Sequence, residues 1–289
     1  FFRVFDPPLP LMPLVGNPKY LLLAMVTTSL VLLLSWTYRA APKGPNHSPT
    51  LDVDEFCAMD HTRHWEYMQW TSHENARAAE GRPGQEHYRL LTYFAKQMRP
   101  GQHIADVGTN AGASAFALAA DGNHKVHTFD IPSSHKFVEM ALNTHKRLVH
   151  EQPIDGVSRI YREFPRVVFH KTNLLMDPER LEHVLGASLL FLDTAHEPET
   201  TPFENEFLAL LDGRFKGIML LDDIHMGNGE MERFWDRLVA KTGSLQKSNY
   251  KAYDLSALGH WSGTGLLDFT EGALTMPDLT RLKQGCSKQ

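Results

Sequence analysis

The sequence predicts an α/β protein whose doubly wound, mostly parallel sheet has seven strands and ends in a C-terminal antiparallel hairpin. Five short apolar runs between residues 103 and 223 alternate with segments of helix length, a pattern typical of a parallel sheet with helices on both faces. Two further apolar runs follow, with only a few residues between them. That link is too short for a parallel crossover, so these two runs predict the hairpin, at one edge of the sheet.

Each element is predicted from its local pattern. The predicted strands are the apolar runs 103–108, 125–130, 166–172, 188–193, 217–223, 248–256 and 260–270. The predicted helices cover 86–98, about 111–120, about 133–150, a short stretch from about 177, 202–211 and 229–242. The first of these helices has apolar residues at helical spacing and stops before Pro100 and Gly101.

The composition predicts one folded domain with appendages. The chain has 289 residues, of which 42% are hydrophobic and 22% charged, enough to bury one substantial core. Its net charge of -5 leaves no basic footprint, which argues against a nucleic-acid partner. Its two cysteines, Cys57 and Cys286, lie far apart and form no CxxC motif. They therefore indicate neither a disulfide framework nor a cysteine metal site.

An uncharged stretch near the N-terminus predicts a transmembrane helix. Residues 20–38 contain 19 uncharged residues, and a helix of that length spans about 28 Å, close to the thickness of a bilayer core. Lys19 and Arg39 flank the stretch, with aromatic residues near both ends. A signal peptide and a buried core helix are the alternatives. The charges on the two sides balance, so the orientation stays open.

The predicted organisation is an N-terminal segment 1–19, the transmembrane helix 20–38, a linker 39–55, a flap or pre-domain segment 56–84 and the α/β domain 85–289. The segment 56–84 is rich in histidine and aromatic residues, and we expect it to form a flap over a ligand pocket. A metal cluster is the alternative. The chain begins with Phe1 rather than Met, so we expect a fragment or a processed chain. Processing with retention of the span would suit an organelle such as the mitochondrion. We therefore expect a single-pass protein of an organellar membrane, such as the mitochondrial inner membrane, or of a secretory-pathway membrane.

The turn after the first predicted strand carries the pattern Asp106-x-Gly108-x-x-x-Gly112. Glycines at such a turn let the backbone approach a ligand, and the start of the following helix offers free N–H groups to an anion. A dinucleotide-binding turn would have G-x-G-x-x-G, which is not present here. Asp130 ends the second predicted strand, 22 residues after Gly108, where a carboxylate can bind ribose hydroxyls. A generic tight turn is the alternative.

These features resemble the class I S-adenosylmethionine-dependent methyltransferase superfamily, whose sheet also ends in a hairpin. The resemblance implies a Rossmann-like methyltransferase fold over about residues 85–270 and S-adenosylmethionine as the cofactor. The cofactor-binding residues that it implies are Asp106, Gly108, Thr109, Gly112, Ser114, Asp130 and Asn173. Asn173 would lie near the adenine, although an asparagine after a strand is often only a turn former.

Three carboxylates end the fourth and fifth predicted strands: Asp193, Asp222 and Asp223. Adjacent parallel strands place them at one rim of the sheet, where open α/β sheets bind ligands. Carboxylates that converge repel one another unless a cation lies among them, and Mg²⁺, Ca²⁺ and Mn²⁺ prefer such oxygen ligands. We predict a divalent cation, with Mg²⁺ preferred. The alternative is that one aspartate caps a helix and another faces solvent.

This arrangement is similar to divalent-metal-dependent O-methyltransferases of the catechol type and to cephalosporin-hydroxylase-like members of the superfamily. The resemblance implies catalytic roles for Asp193 and for His196, which stands where the catechol type has a lysine base; a surface or supporting histidine is the alternative. Asp223 stands where that type has asparagine. His225 is a further candidate ligand or substrate contact. Residues 259–265 form either a pocket wall or a bulged turn.

The function that we expect is O-methylation of a small hydroxylated acceptor by a membrane-anchored enzyme. An alternative is an accessory or structural subunit of a larger membrane complex, because a fold alone does not guarantee activity. A nicotinamide-dependent oxidoreductase is a third alternative. The absence of the G-x-G-x-x-G pattern after the first predicted strand argues against it.

Overall fold

A computed structural model describes residues 49–59, 86–109, 112–120, 124–131, 166–194, 202–226, 229–259 and 262–286. The helices in these ranges are α1 (Val53–Ala58), α2 (Glu86–Gln97), α3 (Ala113–Ala119), α4 (Pro178–Leu185), α5 (Pro202–Leu211), α6 (Glu230–Val239) and α7 (Leu279–Gln284). The strands are β1 (His103–Val107), β2 (Lys125–Asp130), β3 (Val167–Lys171), β4 (Leu189–Leu192), β5 (Ile218–Asp222), β6 (Lys251–Asp254) and β7 (Thr264–Asp268). The predicted helix 133–150 lies outside the described residues.

The seven strands form one sheet in the order β3-β2-β1-β4-β5-β7-β6. Neighbouring strands from β3 to β5 are parallel, whereas β7 is antiparallel to both β5 and β6. The predicted α/β class, the strand count and the C-terminal hairpin are therefore confirmed. The order reverses between β1 and β4, and a crevice at such a switch point is where open α/β sheets bind ligands.

Two apolar layers cover the sheet. Leu189 and Phe191 of β4 belong to the layer under α2 and α3, whereas Leu190 and Leu192 belong to the layer under α4, α5 and α6. Successive side chains of a strand point to opposite faces, so a strand buried on both faces has to be apolar throughout. This is why β4 reads LLFL without alternation.

The α/β domain begins earlier in the chain than the sequence predicts. Asp52 caps α1 by accepting hydrogen bonds from the backbone N–H groups of Asp54 and Glu55, and Val53 and Phe56 are buried in the core. Residues 49–59 lie in the stretches assigned above to the linker 39–55 and the flap 56–84. A helix of six residues shows too little periodicity to be recognised in a sequence.

A disulfide bond joins Cys57 to Cys286, with their Cα atoms 5.5 Å apart. The expectation that these cysteines indicate no disulfide is therefore wrong. The reason is that separation along the chain, here 229 residues, says little about distance in a fold whose two ends meet. Thr50 forms a parallel bridge with Thr275, and Arg281 of α7 pairs with Asp54 of α1.

Replacing both cysteines by serine is expected to lower the free energy of unfolding by about 2–5 kcal/mol, because the bond limits the freedom of the unfolded chain. Urea unfolding of the oxidised protein and of the Cys57→Ser/Cys286→Ser variant measures this loss. The wild-type protein in reductant is the matched control and should unfold with the variant. Equal midpoints for oxidised and reduced protein would contradict the prediction.

Three histidine rings meet at the edge of the sheet, between β2, β3 and α4; we call them the histidine cluster (His127, His170 and His183). His127 Nδ1 and His170 Nε2 lie 2.8 Å apart, and the two ring planes differ by only 3°. The His183 ring stacks 4.4 Å from the His127 ring, centroid to centroid. Burial lowers the pKa of His127 to about 3 and that of His170 to about 4, with further lowering from nearby positive groups that include His183. The cluster is therefore neutral at pH 7.

The domain is expected to lose stability in mild acid. In the unfolded chain His127 and His170 titrate near 6.5, whereas in the folded chain they stay neutral down to about pH 4. Below pH 6.5 the unfolded state therefore binds more protons, and the free energy of unfolding falls by on the order of 2 kcal/mol between pH 7 and pH 5. Urea midpoints across this range measure the slope, which should be shallower in His127→Phe. An unchanged slope in that variant would refute this origin.

Within the described ranges, no helix is both long and apolar enough to cross a membrane. The predicted transmembrane helix 20–38 lies outside these ranges.

Candidate active site

The turn after β1 leads directly into α3 and is fixed by backbone hydrogen bonds. The N–H groups of Gly108 and Thr109 both donate to the carbonyl of Phe129 in β2, at 2.9 and 3.3 Å. Gly112 precedes α3 with a φ of 84°, and all seven residues of α3 are buried. Small alanine side chains allow this close approach of α3 to the sheet. Asn110 and Ala111 lie outside the described residues.

Gly108 is required for a reason other than the one the sequence indicates. Its φ is +103°, and a Cβ atom added there would lie 1.4 Å from the backbone carbonyl oxygen of Asp193. The sequence suggests that this glycine makes room for a cofactor, but in the fold it makes room for the end of β4. The turn that follows β1 is thus in direct contact with the backbone of Asp193, the first of the three residues predicted to supply carboxylates.

Asp106 is a fully buried carboxylate at the end of β1. Its Oδ2 accepts a hydrogen bond of 2.5 Å from Thr128 Oγ1, and the Thr128 hydroxyl also bonds the Thr109 hydroxyl. Burial raises the pKa of Asp106 to about 6, although hydrogen bonds from Thr128 and Ser114 lower it. Thr128 was missed in the sequence. Its position opposite Asp106 in the strand pairing is the signal that could have identified it.

Two further predicted cofactor contacts have different surroundings. Asp130 is half-buried at the end of β2, and its Oδ1 accepts a 2.7 Å hydrogen bond from the N–H group of Ile131. This keeps a carboxylate at the rim. Asn173 instead uses its side-chain oxygen to accept from the N–H group of Leu175 at 3.0 Å, so the side chain forms a local turn after β3.

Asp193, Asp222 and Asp223 meet at the rim, as predicted. Each offers a carboxylate oxygen, and these three oxygens all lie within 4.8 Å of one another. The backbone N–H group of Asp193 donates to the carbonyl of Val107 at 2.9 Å, which extends the pairing of β4 with β1 by one residue. Asp222 is buried, whereas the other two are half-buried. We call these residues the acidic triad.

Asp223 has a left-handed backbone, with a φ of 60°. Such a conformation is uncommon for residues other than glycine, although asparagine and aspartate tolerate it best. The hydroxyl of Ser262 hydrogen-bonds Asp223 Oδ1, and the backbone N–H groups of Ile224 and His225 donate to the carbonyls of Gly263 and Ser262. The segment before β7 therefore orients the third carboxylate.

Tyr88 of α2 lies near enough to the same carboxylates for their charge to affect its pKa, and it was not predicted from the sequence. Burial raises its pKa well above the ordinary value of 10, and the negative charges of Asp193, Asp222, Asp106 and Asp223 raise it further. Tyr88 therefore keeps its proton at neutral pH. The predicted site residues were found at the ends of strands, whereas Tyr88 lies in a helix that precedes all the strands in the chain, so no motif marks it.

The remaining predicted residues are only partly placed. His196, the predicted base, lies outside the described residues, as do positions 260 and 261 of the segment 259–265. His225 is described, and its Nε2 lies 2.9 Å from Asp254 Oδ2 of β6. Ser256 fixes Asp254 in turn, donating to its Oδ1 through both the backbone N–H group and the hydroxyl. His225 is thus anchored to β6, next to the triad in the chain.

The strand order, with an antiparallel β7 between β5 and β6, fits a Rossmann-like methyltransferase fold. No protein-family model matches the sequence, and no curated protein matches it either.

Several solved structures are similar in fold. A Staphylococcus aureus protein assigned as a caffeoyl-CoA O-methyltransferase is 15% identical, with a TM-score of 0.45 over 72% of this chain and 94% of that one. The O-methyltransferase TomG from Streptomyces achromogenes, solved with S-adenosylmethionine, is 19% identical, with a TM-score of 0.43 over 63% of this chain and 79% of that one. Cofactor-bound Rv0187 from MTB is 19% identical, with a TM-score of 0.45 over 79% and 99%. These similarities concern the fold, so the chain's own side chains have to carry any argument about function.

Proposed function

We propose that this protein is an S-adenosylmethionine-dependent O-methyltransferase that uses a divalent cation to methylate a small hydroxylated acceptor. The observation that carries the proposal is the meeting of three carboxylates beside the turn after β1, at the switch point of the sheet. A protein that used this fold only as a scaffold would gain nothing from three carboxylates in mutual repulsion.

The residues around the β1 turn suit a cofactor that carries positive charge and a ribose. Asp106 is buried, and its raised pKa shows that an isolated negative charge is unfavourable there. A positively charged ligand group would offset that cost. Asp130 holds a second carboxylate at the end of β2, where ribose hydroxyls can donate to it. S-adenosylmethionine has both features and supplies an activated methyl group on a sulfonium centre.

The acidic triad suits a hard divalent cation. Its donors are all carboxylate oxygens, which fits Mg²⁺, Ca²⁺ or Mn²⁺ rather than metals that prefer nitrogen or sulfur. Asp193, Asp222 and Asp223 would hold the ion, and Mg²⁺ is the proposed one. When bound, such an ion supplies positive charge that lowers the pKa of an acceptor hydroxyl.

The chain's own residues have three roles in this proposal. Asp106 and Asp130 bind and orient the methyl donor, and Tyr88 donates a hydrogen bond at the rim while excluding water. His196 is the proposed base that takes the proton of the acceptor hydroxyl, since a neutral histidine accepts protons near pH 7. Holding donor and acceptor in line accounts for most of the expected rate enhancement. A helix at 20–38 would keep this chemistry beside a membrane and favour acceptors that partition into lipid.

Calorimetry with S-adenosylmethionine, on the full chain in detergent and with and without Mg²⁺, tests the proposal. We expect binding near pH 7.5 that weakens below about pH 6, because protonation of Asp106 removes its negative charge. Asp106→Asn should weaken binding at pH 7.5 and flatten the pH dependence.

Asp236→Asn is the matched control, since Asp236 is exposed on α6 and is not among the residues proposed to hold the cofactor or the cation. It should bind the cofactor like the wild-type protein. If the wild-type protein binds no S-adenosylmethionine with or without Mg²⁺, the enzyme proposal fails and the accessory-subunit alternative takes its place. Binding of NADH in its place would support the oxidoreductase alternative.

A further inference from the structure

The disulfide bond indicates the redox state of the compartment in which the domain resides. Cys57 and Cys286 are the chain's two cysteines, and they are bonded to each other. With no third thiol in the chain, no internal partner exists for thiol–disulfide exchange. They are also too far apart in the sequence to form the CxxC motif of redox enzymes. The bond is therefore structural.

Contacts that do not involve sulfur already bring the two cysteines together. Thr275 forms two backbone hydrogen bonds with the start of the domain. Its carbonyl accepts from the N–H group of Leu51 at 2.9 Å, and its N–H group donates to the carbonyl of Pro49 at 2.9 Å. Arg281 pairs with Asp54 and also donates to the carbonyl of Gly285 at 2.8 Å, next to Cys286. The folded domain thus holds both thiols at high effective concentration, and an oxidising environment would join them readily.

Both sulfur atoms belong to the core layer under α2 and α3. Cys57 and Cys286 are partly buried and pack against its apolar residues. A bond in this position links the start of the domain to its end, and α1 and α7 contribute buried residues to the same layer. A domain built in this way suits a compartment in which the bond persists.

From these observations we infer that the α/β domain resides in an oxidising compartment, on the side of the membrane that faces away from the cytosol or nucleus. Disulfides of this structural kind persist in secretory lumina and comparable oxidising spaces, whereas cytosolic reductants remove them. The sequence leaves the orientation of the predicted transmembrane helix 20–38 open. With that proposed anchor, the disulfide would put the domain that contains Cys57 and Cys286 on the oxidising side. The orientation rests on the membrane anchor of the proposed function, whereas the compartment rests on the disulfide alone.

The redox state of the full-length chain in its own cells tests the compartment. Thiols are blocked with N-ethylmaleimide at lysis, and the chain is then labelled with maleimide-polyethylene glycol before and after reduction. We expect the blocked chain to take up no polymer before reduction and two polymer chains, one on each cysteine, after reduction. Cys57→Ser is the control and should be blocked at Cys286, so that it takes no polymer after reduction. A wild-type chain that takes no polymer after reduction had both thiols free, which overturns the inference.

Protease protection of sealed membranes tests the orientation, with an epitope tag after Gln289. The tag should resist protease until detergent opens the vesicles, and the chain should stay with the membrane in alkaline carbonate. Digestion of the tag in sealed vesicles, or release by carbonate, overturns the anchored orientation. Neither measurement depends on methyl transfer, so a failure here is distinct from a failure of the proposed function.

Discussion

Replacing Asp222 by asparagine is expected to lower Mg²⁺-dependent methyl transfer at least ~100-fold, because the buried carboxylate is the member of the acidic triad that water can replace least. Asparagine has the same shape, so the fold should be retained. Without metal, thermal unfolding should occur at the same or a higher temperature than in the wild-type protein, since one of three repelling charges is gone. Initial rates over a Mg²⁺ titration, together with the unfolding midpoint, measure both effects.

Asp223→Asn is the matched comparison at the next residue. Asparagine tolerates the left-handed backbone of Asp223 and can still accept the Ser262 hydrogen bond through its side-chain oxygen. The catechol-type enzymes that the sequence resembles have asparagine at this place. We therefore expect a loss within about tenfold, the cost of one charge at a retained ligand position. Equal losses in the two variants would argue against a metal-binding role specific to the triad.

Replacing Gly108 by alanine is expected to destabilise the domain by more than about 4 kcal/mol, enough to prevent folding in most conditions. The added Cβ would overlap the backbone carbonyl of Asp193, at 1.4 Å, and neither backbone can move without breaking the pairing of β1 with β4. Urea unfolding of the soluble fraction, or the soluble yield itself, measures the effect.

Gly272→Ala separates this collision from ordinary backbone strain. Gly272 also has a left-handed backbone, with a φ of +95°, but a Cβ atom there would have no neighbour within 4 Å. Its replacement should therefore cost only about 1 kcal/mol. If Gly108→Ala proves as stable as Gly272→Ala, the close packing of the β1 turn against β4 is wrong.

The acidic triad can be predicted from the sequence because the prediction depends on only two facts. A strand that is buried on both faces is recognisable as an apolar run, and parallel neighbours end at the same rim. Asp193 and Asp222 each follow such a run, so their meeting follows from the topology. The same reasoning places Asp106, one residue before the end of β1, and Asp130, which ends β2.

Residues that act across the fold are harder to predict. Tyr88 packs against the core layer from α2, and nothing in its helix marks it as a residue whose pKa the rim carboxylates raise. The bond between Cys57 and Cys286 depends on how both ends of the domain return to the same layer, which no local pattern records. Gly108 was recognised, but the neighbour it accommodates comes from β4, some 85 residues later in the chain.

The contact between Gly108 and Asp193 also makes the two proposed ligand sites one mechanical unit. If cofactor binding moved the β1 turn, the turn would press on the carbonyl of Asp193, whose carboxylate belongs to the triad. Occupancy of one proposed site would then alter the free energy of filling the other, and thermodynamic reciprocity would require the same factor in both directions. Donor and cation would thus enter as cooperative partners, and the protein would become competent only when both are present.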